Sequence, residues 1–328
     1  MATTERAAMT TPTATLPAAA RTRRPGAPEP GLSWGARTGP VLAVTLAVLV
    51  LWYLAAIGLN APGAIERVLG GPDGTWSATQ LVQTTWAMQR PILPVPHQIA
   101  LDIWHSVRDW PIDSPRNLLL HARTTAEATL LGFGLGTALG LLLAIGIVHA
   151  RTLEKALLPW IVASQTVPVL AIAPIVLVVL GSLGFTGTLP KAVIAMYLCF
   201  FPVTVAMVQG LRSPQRIETE LFHTYAASRW QALWALRLPA SLPHLFPALR
   251  VAIAAGLVGA IVAELPTGAQ AGLGARLLTS SYYGNTVQIW SALLMSAVLG
   301  LALTALVGLL ERAVLRRHSP AAQGKLKS

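Results

Sequence analysis

Charge is what this sequence has least of. Asp, Glu, Lys and Arg together make up 11% of the 328 residues, where a soluble domain carries roughly 25%. So few charges cannot cover the surface of a soluble chain this long. Cysteine is nearly missing too. The single Cys199 excludes an internal disulfide and a cysteine metal cluster. Inside its apolar run it reads as a small buried hydrophobe. Acids are scarcer than bases, 13 against 24, for a net charge of +11. In a soluble protein that imbalance would point to nucleic acid, but no zinc-finger spacing or RNA-recognition pattern accompanies it. Lys and Arg also mark the cytoplasmic side of membrane helices, and that reading fits better. No Walker-type glycine loop occurs, so the chain is not expected to bind or hydrolyse ATP itself. The histidines are scattered: His97, His105 and His121 in one region, His149, His223, His244 and His318 in others. They show no metal-ligand spacing. No catalytic residue, metal site or cofactor is expected.

What is abundant is apolar sequence. Apolar residues other than glycine reach 54% and the mean hydropathy is +0.59. A helix needs about 20 apolar residues to span a bilayer core. Six runs meet or approach that length, at about 40–59, 124–148, 157–180, 189–210, 245–264 and 287–310. The fold class expected is an all-α membrane protein of about six transmembrane helices. Gly132, Gly136 and Gly140 form a small-residue stripe suited to close helix packing in lipid. The partner of that stripe is either another helix of the chain or a second subunit. Tyr282, Tyr283, Trp290 and Trp52 suit an aromatic belt.

Residues 1–38, rich in Ala, Thr, Pro and Arg, read as a disordered cytoplasmic tail. Residues 39–120 hold the first span and a long outer loop. In that loop Gly70–Gly74 reads as a turn, and 97–110 as a short amphipathic interfacial helix. The core domain is 121–315, with 316–328 a second cytoplasmic tail. Placing the N-terminus inside leaves only Arg67, Arg90, Arg108, Arg116, Arg123, Lys191 and Arg276 outside, out of 24 Lys and Arg. Both termini are therefore expected in the cytoplasm.

One cytoplasmic connection, 213–243, is long and patterned. Ile217, Leu221 and Tyr225 recur every four residues, so one helical face is apolar. Trp230, Leu233 and Trp234 make a second stripe. Ala226, Ala227 and Ser228 lie between them as a tight corner. Pro239 and Pro243 stand where the second short helix is expected to end. Such an element either rests on the membrane surface or docks in a groove on a partner.

Glu220, the nine residues from Ala227 to Ala235, and Leu236-Arg237-Leu238-Pro239 reproduce the spacing of a known motif. The loop resembles the EAA motif of binding-protein-dependent ABC importer permeases. The run Ala227-Ser228-Arg229-Trp230 is similar to the subfamily serving nitrate, sulfonate, taurine and thiamine-precursor uptake. The resemblance covers most of 93–315, through Leu93–Pro96, Thr166–Pro168, Ala173-Pro174, Phe200–Pro202, Gly210–Ser213, Ala263-Glu264 and Gly272–Gly274. Three positions depart from the motif: Leu221 and Phe222 replace its two alanines, and Ala226 replaces its glycine. A left-handed turn costs an L-residue roughly 1–2 kcal/mol more than glycine, so the corner is either strained or built differently.

The resemblance implies a type I ABC importer permease in the bacterial inner membrane. It implies partner ATPase subunits, an extracytoplasmic substrate-binding protein and a second permease copy, identical or not. It places the ATPase-docking surface on Glu220, Leu221, Phe222, Tyr225, Ala226, Ala227, Ser228, Arg229, Trp230 and Pro239, with Phe222, Tyr225, Arg229 and Trp230 as anchors. The solute expected is a heterocyclic vitamin precursor or a sulfonate- or nitrate-type anion. Gln165 and Thr166, beside the helix-loosening Pro168, either line the pathway or bond another helix. Glu264, an intramembrane acid, is a pathway candidate, or else it is solvated or paired with Arg276. The alternative function is an ion-coupled secondary transporter. That would need acids or broken helices at matched positions in inverted halves, and only Glu264 comes near. A membrane enzyme would need a clustered nucleophile, metal or acid pair.

Overall fold

The computed structural model describes residues 34–69, 74–266 and 271–318, with side chains for 39–69, 74–266 and 271–315. Of the tails expected at 1–38 and 316–328, residues 1–33 and 319–328 lie outside the described residues, as does most of the 70–74 turn, while 34–38 and 316–318 are helical. Among the described residues every regular element is helical. The helices are α1 (Trp34–Arg67), α2 (Ala78–Ala87), α3 (Pro96–Arg108), α4 (Leu118–His149), α5 (Arg151–Ser164) and α6 (Val169–Ser182). Next come α7 (Thr188–Leu211), α8 (Arg216–Thr224) and α9 (Arg229–Ala232), a π turn (Leu233–Arg237), α10 (Leu238–Glu264), α11 (Leu273–Tyr282) and α12 (Thr286–His318). Among the described residues five helices are long and apolar enough to cross a membrane, six if the bent α5–α6 pair is one span.

The chain divides into two compact units, Met1–Leu49 and Val50–Ser328. The described part of the first is the start of α1, whose side chains from Gly39 on are exposed. The second unit is built on α4, α7 and α10, which pack closely. Small residues make this possible. A Cβ at Gly136 would lie 2.5 Å from Cys199 Cβ, and one at Gly132 2.5 Å from the Ala192 carbonyl. The stripe on α4 therefore faces α7 within the same chain. Gly256 and Gly259 of α10 also close on α7, near Cys199 and Ala195. Cys199 is buried, as expected, and its thiol donates to the Ala252 carbonyl at 3.1 Å.

The segment between α1 and α4 is more regular than its composition suggests. The amphipathic α3 forms where expected, opening on Pro96 at its first turn, where a missing N–H costs nothing. Helix α2 was not anticipated. It starts from a capping box in which Ser77 and Gln80 satisfy each other's backbone N–H groups. Buried Asn60 binds Ile92 N–H and the Leu93 carbonyl and so ties α1 to the 92–93 strap. Trp52 and Trp290 lie with ring centroids 4.9 Å apart and their planes tilted by 59°, and the Trp52 indole donates to the Pro94 carbonyl. Both rings are half-buried, so the pair makes an internal contact as well as suiting a belt. Tyr282 and Tyr283 are exposed.

Two expectations about helix continuity are corrected. The third run is not one straight helix, because α5 and α6 meet at 102°. Pro168 lacks an N–H and disfavours the helical conformation at Val167, and it sits extended at ψ 121° as the N-cap of α6. Conversely, Pro239 and Pro243 do not end a helix. Pro239 occupies the first turn of α10, and Pro243 and Pro247 lie within it. The π turn joins α9 to α10, giving an unbroken helical stretch over Arg229–Glu264.

Candidate functional site: the α7–α10 connection

The connection starts at Arg212, whose guanidinium pairs with Glu154 of α5 at 2.8 Å. Helix α8 follows, begun by the Gln215 N–H donating to the Glu218 carboxylate. Along α8, Ile217, Leu221 and Tyr225 are all exposed, Tyr225 at 79%, so the four-residue period marks an outward apolar face. Glu220 is exposed and pairs with Arg216 at 2.7 Å. The corner is tight. Ala226 has φ +50° and is the one non-glycine residue with positive φ among the described residues. The strained alternative is therefore the one adopted, at a position where glycine would cost less. Ser228 caps α9: its Oγ accepts from Gln231 N–H while its own N–H donates to the Gln231 side chain.

The sequence grouped four anchors together, and the structure separates them. Tyr225, Arg229 and Trp230 are exposed, whereas Phe222 is half-buried. Phe222 lines a cavity of about 480 Å³ between the connection and the α4–α5 elbow at Val148, His149 and Arg151. Trp230 stacks on His149 with ring centroids 5.7 Å apart, fastening α9 to the end of α4. Leu233 is fully buried in a core cluster with Ile147, Ile161, Met207 and Leu211. The connection thus has an apolar outer face, a rigid corner and a foot set into the bundle. Ala227 is half-buried, and Pro239 is exposed in the first turn of α10.

At the opposite end of the bundle Glu264 is fully buried. Thr125 Oγ1 donates to its carboxylate at 3.0 Å, Gly274 N–H at 2.9 Å and Lys191 Nζ at 3.4 Å. Lys191 also donates to the Ala271 carbonyl at 3.0 Å. Thr125 Oγ1 accepts from Leu273 N–H. His121 reaches Gly272 through Nδ1 and the Pro115 carbonyl through Nε2. A proton on Nε2 satisfies both, with Nδ1 accepting the Gly272 N–H. Gly272 has φ +134°, and a Cβ there would lie 2.2 Å from the Glu264 carboxyl carbon. Glu264 therefore fastens the start of α11 to α4 and α7. Its ionic partner is Lys191, not Arg276, which donates to the Pro115 carbonyl instead. Gln165 and Thr166 are exposed at the α5–α6 bend, Thr166 donating to the Ala163 carbonyl. They are not brought together with Glu264. Glu127 pairs with Arg123 at an exposed site.

Residues 136–318 match the family model described as the binding-protein-dependent transport system inner membrane component. The chain belongs to that family. A riboflavin transport system permease protein from Chloroflexus aurantiacus is 35% identical over 225 residues, covering 69% of this chain and 80% of that one. A formylaminopyrimidine transport permease protein from Halalkalibacterium halodurans is 35% identical over 184 residues, 56% of this chain and 68% of that one. A taurine transport system permease protein from Escherichia coli is 28% identical over 193 residues, 59% and 64% respectively. The protein is an ABC transport permease, a multi-pass inner-membrane component, and not a secondary transporter.

Within the permease, Lys191 is the residue that sequence reasoning missed as the partner of Glu264. The charge count places it only among the cations expected outside. The available signal was a lysine held between Pro190 and Ala192 at the start of an apolar span, where a buried charge needs a partner. Thr125 and His121 carried no signal, since polar residues near a helix end are ordinary.

Proposed function

We propose that the Arg216–Pro239 stretch is where this permease receives an ATPase subunit, and that ATP hydrolysis resides in that subunit. The observation that carries the reading is the exposed apolar row Ile217, Leu221 and Tyr225, continued by Trp230 and Trp234. An amphipathic short helix with its apolar side outward suits a groove on a partner. The four-residue corner and the Trp230–His149 stack keep it stiff. Leu233 carries displacement into α7 and α10, because it is packed between their side chains. Closure of the ATPase pair on ATP would then tilt the bundle and alternate access to the solute.

This reading puts both termini and the α7–α10 connection in the cytoplasm. A substrate-binding protein delivers solute at the opposite face. A second permease copy, identical or related, completes the pathway. Exposed apolar residues on α5 and α6, among them Trp160, Leu170 and Val178, are available to that copy or to lipid. Gln165 and Thr166, polar and exposed at a helix break, are proposed to line the passage. Glu264 serves as a fastening in this reading. The solute proposed is a small heterocycle of the vitamin or vitamin-precursor kind. Its support is the 35% identity to permeases named for riboflavin and formylaminopyrimidine, against 28% for the taurine one.

The test is copurification of the ATPase with the full-length permease. Leu221→Asp buries a charge in the docking groove and is expected to weaken binding by at least about 30-fold, roughly 2 kcal/mol. Membrane insertion and the folded yield should be unchanged, since Leu221 is exposed. Undiminished copurification of Leu221→Asp would refute the docking surface.

A further inference from the structure

The cavity behind the coupling corner is lined by cations without a counter-charge. Arg151 comes from the start of α5, Arg229 from α9 and Arg237 from the π turn, with His149 and His223 beside them and Phe222 on the apolar side. Among the described residues no Asp or Glu lines it. Concentration of basic residues on one side of the membrane does not account for this arrangement. Arg212, Arg216 and Arg250 belong to the same region, and each pairs with a carboxylate: Glu154, Glu220 and Glu311. Glu218 is engaged by the Gln215 N–H. Among the described residues, the three cavity guanidiniums have no ion pair. The His149 Nδ1–H donates to the Ile145 carbonyl at 2.9 Å, which fixes that ring nitrogen as the donor.

We propose that this cavity is a binding site for a phosphate-bearing anion, which bridges the coupling corner to the α4–α5 elbow. Three arginines lining one cavity from separate elements offer more donors than a single carboxylate can take up, and suit the several oxygens of a phosphate. About 480 Å³ holds a phosphate group with room for an attached headgroup. The contacting elements explain a consequence. Arg229 and Arg237 flank the stretch that transmits the ATPase stroke, and Arg151 sits on the bundle. An anion shared among them would stiffen the transmission and raise coupling. Two sources share this chemistry: free phosphate or a phosphate ester, and an anionic lipid headgroup at the cytoplasmic leaflet. The lipid source rests on the cytoplasmic placement proposed above. An acidic side chain of the ATPase is the disfavoured occupant, because the outward row of the connection is apolar and the cavity lies between the connection and the α4–α5 elbow, although Arg151 and Arg229 also reach solvent.

The experiment uses the full-length permease, alone and assembled with its ATPase. Inorganic phosphate binding is measured by calorimetry, with chloride at matched ionic strength as control. Retention of phosphatidylglycerol over phosphatidylcholine is measured in mixed-lipid nanodiscs. Arg151→Gln/Arg237→Gln is expected to weaken phosphate binding at least about tenfold. Arg151→Lys/Arg237→Lys, which keeps the charge, tests folding and should lose less. In the wild-type chain, phosphate should slow tryptic cleavage after Arg229 where chloride does not. Loss of phosphatidylglycerol preference in the Gln variant supports a lipid headgroup, and loss of phosphate binding alone supports a free anion. Equal phosphate and lipid binding by wild type and Gln variant, with no protection of Arg229, overturns the site. So does displacement of phosphate when the ATPase docks, which would show that a protein acid occupies the cavity. ATPase copurification, measured on the same samples, reads the docking proposal separately.

Discussion

Removing one partner of the Glu264–Lys191 pair is the most demanding test of the packing described for α11. Both side chains are buried, Glu264 completely. In Glu264→Ala, Lys191 keeps only the Ala271 carbonyl, and the Gly274 N–H and Thr125 hydroxyl lose their acceptor. Breaking a buried pair in this way costs about 3–5 kcal/mol, because an uncompensated charge stays in a low-dielectric setting. That is roughly 150- to 5,000-fold in the folded-to-unfolded ratio. Replacing both partners by apolar or neutral groups of similar size is far less costly. Glu264→Gln/Lys191→Met should therefore recover most of the loss, and measured against its own single variants Glu264→Gln and Lys191→Met it should show a coupling energy of about 2–3 kcal/mol. The assay is equilibrium unfolding of the micelle-bound permease in dodecyl sulfate, followed by tryptophan fluorescence. A loss below about 1 kcal/mol in Glu264→Ala, or a double variant worse than either single one, would refute the reasoning. Solute uptake by the double variant then separates fastening from passage. Uptake should return with stability, and a stable double variant without uptake would restore Glu264 to the pathway.

Two further outcomes follow from backbone geometry. Ala226→Gly relieves the positive φ at the corner, and is expected to stabilise the connection by about 0.5–1 kcal/mol after glycine's extra unfolded entropy is subtracted. Slower hydrogen exchange over 224–230 would show it, and faster exchange would contradict it. Gly136→Ala places a methyl 2.5 Å from Cys199 Cβ and 2.9 Å from the Met196 carbonyl, which cannot yield without separating α4 from α7. A loss of about 1–3 kcal/mol is expected, while Gly134→Ala, with nothing within 4 Å, should be neutral or mildly stabilising.

Much of the candidate site was legible from local pattern. The period of Ile217, Leu221 and Tyr225 gave the exposed face, and the small residues at 226–228 gave the corner. Spacing also flagged Ala226, since a motif glycine replaced by alanine predicts a strained turn if the turn is kept. What was not legible was orientation at one-residue resolution. Phe222 follows Leu221, and successive helical residues lie about 100° apart, so one faces outward and the other lines the cavity. The prolines misled in both directions. Pro168 bends its run because it stands at the start of a new helix axis. Pro239 is absorbed, because a first turn needs no N–H partner there.

Hydropathy, proline position and helical period belong to each segment alone, so the sequence by itself determined an all-helical membrane chain, its approximate spans and the one patterned connection. Partnership between segments is a different quantity. Lys191 and Glu264 are 73 residues apart, and nothing local distinguishes Lys191 from Arg276 as the partner. The glycine stripe of α4 was equally ready for another subunit. The cations at 151, 229 and 237 looked like an ordinary basic side of the membrane. Only the packing of α4, α7 and α10 decided these, because burial and charge pairing are set by which distant surfaces are brought into contact.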